Sequence, residues 1–196
     1  MQAATKYKSS FNEGNKAEDE FISLRGESFI RRATRSEDMT QHWDVLDKEL
    51  GHIDVKAGKR KFRGGPVDYS IHWWEFKNVA GRRGWGSPND IDRLIAFRME
   101  DNFTLVNPDK VCELLLDKCT EHFRGVWGLN TRPNRKDLAA MIPSSFLTEH
   151  AECVIDLGVT LTHQRNNHVP AVRLTTRVLQ LRRHLVSYLV PTNRKS

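Results

Sequence analysis

The stretch IDVKAGKRKFRGGPVDYSIHWWEFKNV, residues 53–79, contains two strand-like runs that carry charged residues among apolar ones. Asp54 and Lys56 lie in the first run, and Glu75 and Lys77 lie in the second. Strands favour β-branched and aromatic residues, and a buried charge is costly unless it is paired or bound to a metal. The charges in this stretch therefore indicate either ion pairs between strands or a functional site.

The alternation of side chains along a strand predicts that Glu75 and Lys77 share one face. If the two runs pair through the Gly64–Gly65 turn, Asp54 lies beside Glu75. Two carboxylates and a nearby ammonium group suit a hard divalent cation, because Mg²⁺ prefers carboxylate oxygens and water and a substrate phosphate completes its shell. The alternative is a set of cross-strand salt bridges on a solvated sheet face. The apolar tract around Glu75 argues against that alternative.

These residues resemble the PD-(D/E)XK nuclease superfamily, whose pattern is an Asp on one strand, a variable spacer, and Glu-x-Lys on the next strand. Asp54, twenty intervening residues and Glu75-Phe76-Lys77 fit that pattern, although Ile53 stands where the pattern has Pro. Resolvase-like members also carry a Glu in a helical Gly-x-x-Ala-Glu segment, which residues 14–18 match. The resemblance covers roughly residues 14–110.

The resemblance implies a restriction-endonuclease-like α/β core with a central mixed β-sheet flanked by helices, over residues 14–120. A basic C-terminal extension, residues 121–196, completes a single domain of residues 1–196. The resemblance further implies an endonuclease that hydrolyses phosphodiester bonds of DNA with Mg²⁺, or with Mn²⁺ in its place. Branched or junction DNA is a candidate substrate. A homodimer is also implied. The alternative is a catalytically inactive nucleic-acid-binding protein on the same scaffold.

The same resemblance assigns roles to four residues. Asp54, Glu75 and Glu18 are expected to hold the metal, while Lys77 positions the attacking water. Glu20 is an alternative to Glu18, because the two point to different sides of one helix.

Residues outside this pattern are also candidates for the site. Asp44 lies within a short apolar run and is either a third metal ligand or an edge contact. Two loops are expected to contact nucleic acid, since basic side chains bind phosphates and Trp rings stack on bases. Their residues are Lys59, Arg60, Lys61, Arg63, Arg82, Arg83 and Trp85.

Charge and composition limit the class of protein. The net charge is +6, and residues 121–196 contribute all of it, with 11 Lys and Arg against 5 Asp and Glu. A basic surface of this kind suits nucleic acid. Three scattered cysteines favour a reducing, cytoplasmic setting. The sequence has no apolar run of membrane-spanning length and no phosphate-binding glycine loop, so neither a membrane nor a nucleotide cofactor is expected.

Periodicity predicts the order of elements. A loose tail is expected to residue 13, then a helix that contains Glu18 and breaks at Gly26, and a second helix begins at Ser87-Pro88. Three consecutive, mostly antiparallel strands are expected within residues 42–79. The predicted strands are 41–47, 51–57, 69–79, 103–106 and 153–161, and the remaining predicted helices are 111–123, a short one after residue 137, and a basic one over 172–189.

Overall fold

The computed structural model describes residues 4–59, 66–119 and 125–157, without the side chains of residues 4–12. The predicted basic helix 172–189 and the loop residues Arg60, Lys61 and Arg63 lie outside the described residues. The helices are α1 (Ala4–Arg25), α2 (Arg35–Gln41), α3 (Pro108–Lys118) and α4 (Ser144–Glu149). The strands are β1 (Ile30–Arg32), β2 (Val45–Asp47), β3 (Gly51–Lys56), β4 (Ile71–Lys77), β5 (Arg93–Arg98), β6 (Asn102–Val106), β7 (Leu129–Asn130), β8 (Leu138–Pro143) and β9 (Cys153–Asp156).

The strands form two sheets. The larger sheet is mixed, in the order β1-β2-β3-β5-β6-β9, and its one parallel pair is β3 with β5. The smaller sheet, β4-β8-β7, is antiparallel. The described chain is therefore a mixed α/β fold with a central mixed sheet, as predicted.

The expected pairing of the Asp54 strand with the Glu75 strand is wrong. Both edges of β3 are occupied, since Ile53 pairs with Val45 of β2 and Asp54 with Ile95 of β5. Strand β4 instead pairs with β8, where Glu75 lies opposite Ala139. The β4 strand itself is confirmed, but it belongs to the second sheet.

Apolar cores on the two faces of the large sheet explain this arrangement. On one face, Phe21 of α1 meets Phe103 of β6 edge to face, with ring centroids 5.2 Å apart. On the other face, Trp74 of β4 stacks on Phe97 of β5 at 6.1 Å. Full burial of one such side chain contributes about 1.5–3 kcal/mol. The apolar density of β4 thus serves packing between the sheets.

Helix boundaries agree with the predictions in part. Helix α1 contains Glu18 and ends before Gly26, whose φ of 87° favours glycine. The helix begins at Ala4, so the predicted loose tail is wrong from that residue onward. No helix begins at Ser87, because the chain there runs as a loop into β5.

Two global properties follow from the described residues. The three cysteines, Cys112, Cys119 and Cys153, are free and buried. Within residues 4–59, 66–119 and 125–157, every helix is too short or too polar to cross a bilayer.

Candidate active site

Side chains from α1, the β2–β3 hairpin and β5 converge on one cluster of charges. The segment before β2 brings Asp44 alongside β3, where its backbone N–H donates to the Ile53 carbonyl at 2.8 Å. The Asp44 Oδ2 atom in turn accepts a hydrogen bond from the Val55 N–H at 2.7 Å. These contacts hold Asp44 beside Asp54 and Lys56, and α1 presents Glu18 to the same cluster.

Asp54 is buried and is neutralised by two cations. Its Oδ1 accepts a hydrogen bond from the Lys56 ammonium group, and its Oδ2 accepts one from Nη1 of Arg93 at 3.2 Å. The Arg93 guanidinium is fully buried and also donates to the carbonyls of His42 and Trp85. Arg93 therefore fixes the Asp54 carboxylate from the side opposite Lys56.

Two carboxyl groups of the cluster have raised pKa values. Burial, and after it the charge of Asp54, raises the pKa of Asp44 to about 7. Burial, and after it the charge of Asp44, likewise raises the pKa of Glu18 to about 7. Burial lowers the pKa of Lys56, but the two aspartates outweigh it, so the net pKa is raised and the ammonium stays charged. Burial is the larger cause of both raised pKa values, and repulsion between close carboxylates adds to it.

Glu18 and Glu20 have different neighbours. Glu18 pairs with Arg32 at 3.2 Å and is within electrostatic reach of Asp44 and Lys56. Glu20 forms two hydrogen bonds with Arg98, at 2.7 and 3.1 Å. Glu18 therefore belongs to the cluster, whereas Glu20 is held by a partner elsewhere.

Glu75 and Lys77 come from the smaller sheet. Glu75 is half-buried, and burial raises its pKa while the nearby Lys56 opposes the rise. Lys77 is exposed, and the pairing register with β8 shifts between these two residues. Glu75 thus lies within electrostatic reach of Lys56 from the smaller sheet.

Three features of this cluster were not predicted from the sequence. Arg93 received no role, although an arginine at the start of an apolar strand is an unusual residue that needs a partner. The sequence predicted Asp44 as either a third metal ligand or an edge contact, and it gave Lys56 no role in the site. The sequence spacing could have indicated Asp44 and Lys56 as site residues, because Asp44 precedes Asp54-Val55-Lys56 by the length of a hairpin.

The donor chemistry of the cluster suits a divalent cation. Among the described residues, no group of three or more His, Cys, Asp or Glu side chains is already arranged to hold a metal ion. Glu18, Asp44 and Asp54 nevertheless supply the oxygen donors that Mg²⁺ prefers. The raised pKa values of Glu18 and Asp44 mark a site that an added positive charge would relieve.

The predicted nucleic-acid contacts divide into two kinds. Arg82 and Arg83 are exposed in the loop after β4. Trp85 is half-buried, with the Lys56 ammonium 4.9 Å from its ring centre. Lys59 is also half-buried, and burial followed by the charge of Lys56 lowers its pKa. Among the predicted contacts that the structure describes, Arg82 and Arg83 are therefore the exposed cations.

Comparison with known proteins does not add to this geometry. No protein-family model matches the chain, and no curated protein and no solved structure is significantly similar to it. The site therefore rests on the residues of this chain alone.

Proposed function

We propose that this protein is a divalent-metal-dependent endonuclease that hydrolyses phosphodiester bonds of DNA, with a PD-(D/E)XK site in a restriction-endonuclease-like core. The supporting observation is the cluster in which Asp44, Asp54 and Lys56 lie beside Glu18. The resolvase-like segment at residues 14–18 extends the proposal to branched DNA as substrate and to a homodimer.

The family pattern can also be assigned to a second set of residues, and the geometry of the cluster favours this second assignment. Asp44 takes the place of the first aspartate, and Asp54-Val55-Lys56 takes the place of the (D/E)-x-Lys segment. Both belong to one hairpin, whereas Asp54 and Glu75 lie on strands of different sheets. In this proposal the catalytic lysine is Lys56, and the pair Glu75 and Lys77 is the competing assignment.

Each residue then has a physical role. Glu18, Asp44 and Asp54 hold Mg²⁺ or Mn²⁺, which when bound supplies a Lewis acid and a water of lowered pKa. Lys56 keeps its proton and places a positive charge where the phosphate gains negative charge. Arg93 orients the Asp54 carboxylate by donating a hydrogen bond to it.

The test is cleavage of supercoiled, linear, single-stranded and four-way DNA, and of RNA, with and without Mg²⁺ or Mn²⁺. Asp54→Asn and Lys56→Ala should each lower the cleavage rate by about 10²-fold or more, because each removes a group that acts on the developing charge. Lys77→Ala and the control Glu20→Gln should retain cleavage. Loss of cleavage in Lys77→Ala together with retention in Lys56→Ala would restore the competing assignment.

A non-catalytic nucleic-acid-binding protein is the second candidate. It is favoured by the two cations that already neutralise Asp54. Wild-type protein that binds DNA and cleaves none of these substrates with either metal would support this candidate over the nuclease.

A further inference from the structure

Two loops at one end of the smaller sheet lie against each other. The register of β4 with β8 places Lys77 opposite Leu138, so the loop that follows β4 and the loop that precedes β8 leave the sheet at the same end. The Lys136 N–H donates to the Val79 carbonyl at 3.4 Å. A Cβ at Gly81 would lie 2.9 Å from the Cβ of Lys136, so the two loops are in close contact.

Each loop contains a hydrogen-bonded turn. In the loop after β4, the N–H groups of Ala80 and Arg82 donate to the side-chain oxygen of Asn78 at 3.0 and 3.1 Å. In the loop before β8, the N–H of Arg135 donates to the carbonyl of Arg132 at 3.1 Å. Turns of this kind fix the local backbone, so the side chains that they carry start from defined positions.

The two turns bring together basic side chains that are about fifty residues apart in the sequence. All five are exposed, and we call them the basic surface: Arg82, Arg83, Arg132, Arg135 and Lys136. Neither of the segments 78–84 and 129–136 contains an Asp or a Glu. Like charges that are held in adjacent loops repel one another, so the basic surface favours an anionic partner.

Acidic groups neutralise only part of the basic surface. Asp137 accepts a hydrogen bond from Nε of Arg132 at 2.5 Å, and Glu75 also lies within electrostatic reach of Arg132. Asp109 lies within electrostatic reach of Arg83. The side chains of the other three cations form no hydrogen bond or ion pair with any residue that the structure describes. These three cations are therefore available to a partner.

The basic surface adjoins the proposed site of cleavage. Arg132 lies in the wall of a cavity of about 430 Å³ that both sheets line, and Lys56 and Lys59 lie in the same wall. Lys59 is half-buried and forms no ion pair within the described part of the chain, so it adds an unpaired positive charge. Cations thus continue from the exposed loops to Lys56, the proposed catalytic lysine.

We propose that the basic surface binds the phosphate backbone of the DNA that the protein cleaves. Guanidinium groups suit this partner, because their planar donors match the oxygens of a phosphate in pairs. Phosphate contacts position DNA without reading its sequence, so this binding is independent of sequence. The inference rests on the proposed function, which makes DNA the partner, and it adds the loop 131–136 to Arg82 and Arg83 as a second element of the interface.

The test measures binding of the full-length protein to a short duplex by fluorescence anisotropy in EDTA, so that no cleavage occurs. Arg135→Ala combined with Lys136→Ala should weaken binding by about tenfold or more. The slope of log K against log salt should fall by about 2, since each phosphate contact contributes about 0.9. Unchanged affinity and slope would overturn the proposal.

The control double variant is Lys16→Ala with Lys110→Ala, which removes the same net charge from exposed positions elsewhere. It should change the affinity and the slope far less. An equal loss in both double variants would attribute the effect to net charge and overturn the proposal. Thermal unfolding verifies that each variant is folded.

A second comparison tests whether the two loops form one surface. Adding Arg82→Ala and Arg83→Ala to the first double variant should lower the slope by about 4 in total, because four phosphate contacts are lost. Arg135→Lys with Lys136→Arg conserves the charge and should keep the wild-type slope. A quadruple variant that binds as tightly as either double variant would contradict a single surface.

Two further arms separate this inference from other readings. Poly-glutamate that displaces the duplex as efficiently as unlabelled DNA of equal charge would assign the basic surface to an acidic protein and overturn the proposal. Wild-type protein that shows the expected salt slopes and cleaves no DNA in Mg²⁺ would support the basic surface and contradict the nuclease.

If the wild type cleaves, Arg135→Ala with Lys136→Ala should raise KM and leave kcat unchanged. The reason is that contacts outside the reacting phosphate stabilise the bound substrate and the transition state equally. An unchanged KM would contradict the basic surface without contradicting the nuclease.

Discussion

Asp44 is the residue that controls the ionisation of the candidate site. Its carboxyl is held by the Val55 N–H and lies close to Asp54. An aspartate in an unfolded chain titrates near a pKa of about 3.9, whereas burial and then Asp54 raise the pKa of Asp44 to about 7. Between these two pH values the folded protein therefore binds a proton that the unfolded chain does not.

The contribution of Asp44 to the free energy of unfolding of the metal-free protein should consequently fall as pH rises from about 4 to about 7, while His72, whose pKa burial lowers to about 4, contributes in the opposite direction. The sign follows because the folded state binds more protons than the unfolded state in this window, so raising the pH favours unfolding. Glu18, with a pKa of about 7, acts in the same direction. Asp44→Asn should flatten the profile and be more stable than wild type at pH 8.

The measurement is urea denaturation in EDTA at a series of pH values. The exposed Asp156→Asn is the matched control and should follow the wild-type profile. Mg²⁺ at pH 8 should stabilise wild type more than Asp44→Asn. Parallel profiles for wild type and Asp44→Asn would show that Asp44 titrates normally.

The loop between β4 and β5 is the element that joins the candidate site to the second sheet. It folds back on β4, where the N–H groups of Gly84 and Gly86 donate to the carbonyls of Phe76 and Glu75, each at 2.9 Å. A Cβ at Gly84 would overlap the Glu75 carbonyl oxygen and lie 2.9 Å from its carbon. The glycine therefore permits the close approach that places Trp85 over Lys56.

Gly84→Ala should destabilise the protein by about 1–3 kcal/mol, because the new methyl group meets backbone that cannot yield. Gly14→Ala is the matched control. Among the described residues, no atom outside the backbone of its own helix lies within 4 Å of the position that a Cβ would take, so in a helix the change should stabilise by about 0.5–1 kcal/mol. Chemical denaturation measures the free energy of unfolding of both variants. Equal changes in Gly84→Ala and Gly14→Ala would contradict the steric argument.

Strand alternation predicted the faces of β3 correctly but could not predict its neighbours. Ile53 and Val55 pack toward α1, while Asp54 and Lys56 meet charged partners, as a two-residue period requires. The partner of β4 is β8, where Ile71 pairs with Pro143, and no local pattern encodes a contact so distant along the chain. Glu18 and Asp54 both lie near Asp44 and Lys56, whereas the expected pairing of the Asp54 strand with the Glu75 strand was wrong.

The short helix α2 was also not predicted from the sequence. Helix α2 has only seven residues, too few for a hydrophobic period to be recognised. The sequence nonetheless contains a signal for the start of α2, because Thr34 and Glu37 form a capping box.

At the scale of the whole molecule, the positive charge is unevenly distributed along the chain. Among the residues that the structure describes, Arg82 and Arg83 are exposed basic side chains. Replacing both with Ala should weaken DNA binding for unrelated sequences and reduce the salt slope by about 1 per lost phosphate contact. Lys16 and Lys110, exposed elsewhere, form the control double variant. Binding titrations at several salt concentrations measure both, and unchanged affinity and slope would exclude this loop from the interface.

The chain alternates between its two sheets, and this has a consequence for how it folds. Strand β4 of the smaller sheet lies in sequence between β3 and β5, which are neighbours in the larger one, and β9 returns to the larger sheet after β8. Each sheet thus closes around a segment that belongs to the other, so no continuous fragment of the chain contains either sheet alone. Pairings between distant segments cost loop-closure entropy before contacts repay it, and they slow folding. We therefore expect the strands that carry Lys56 and Glu75 to come together late in folding.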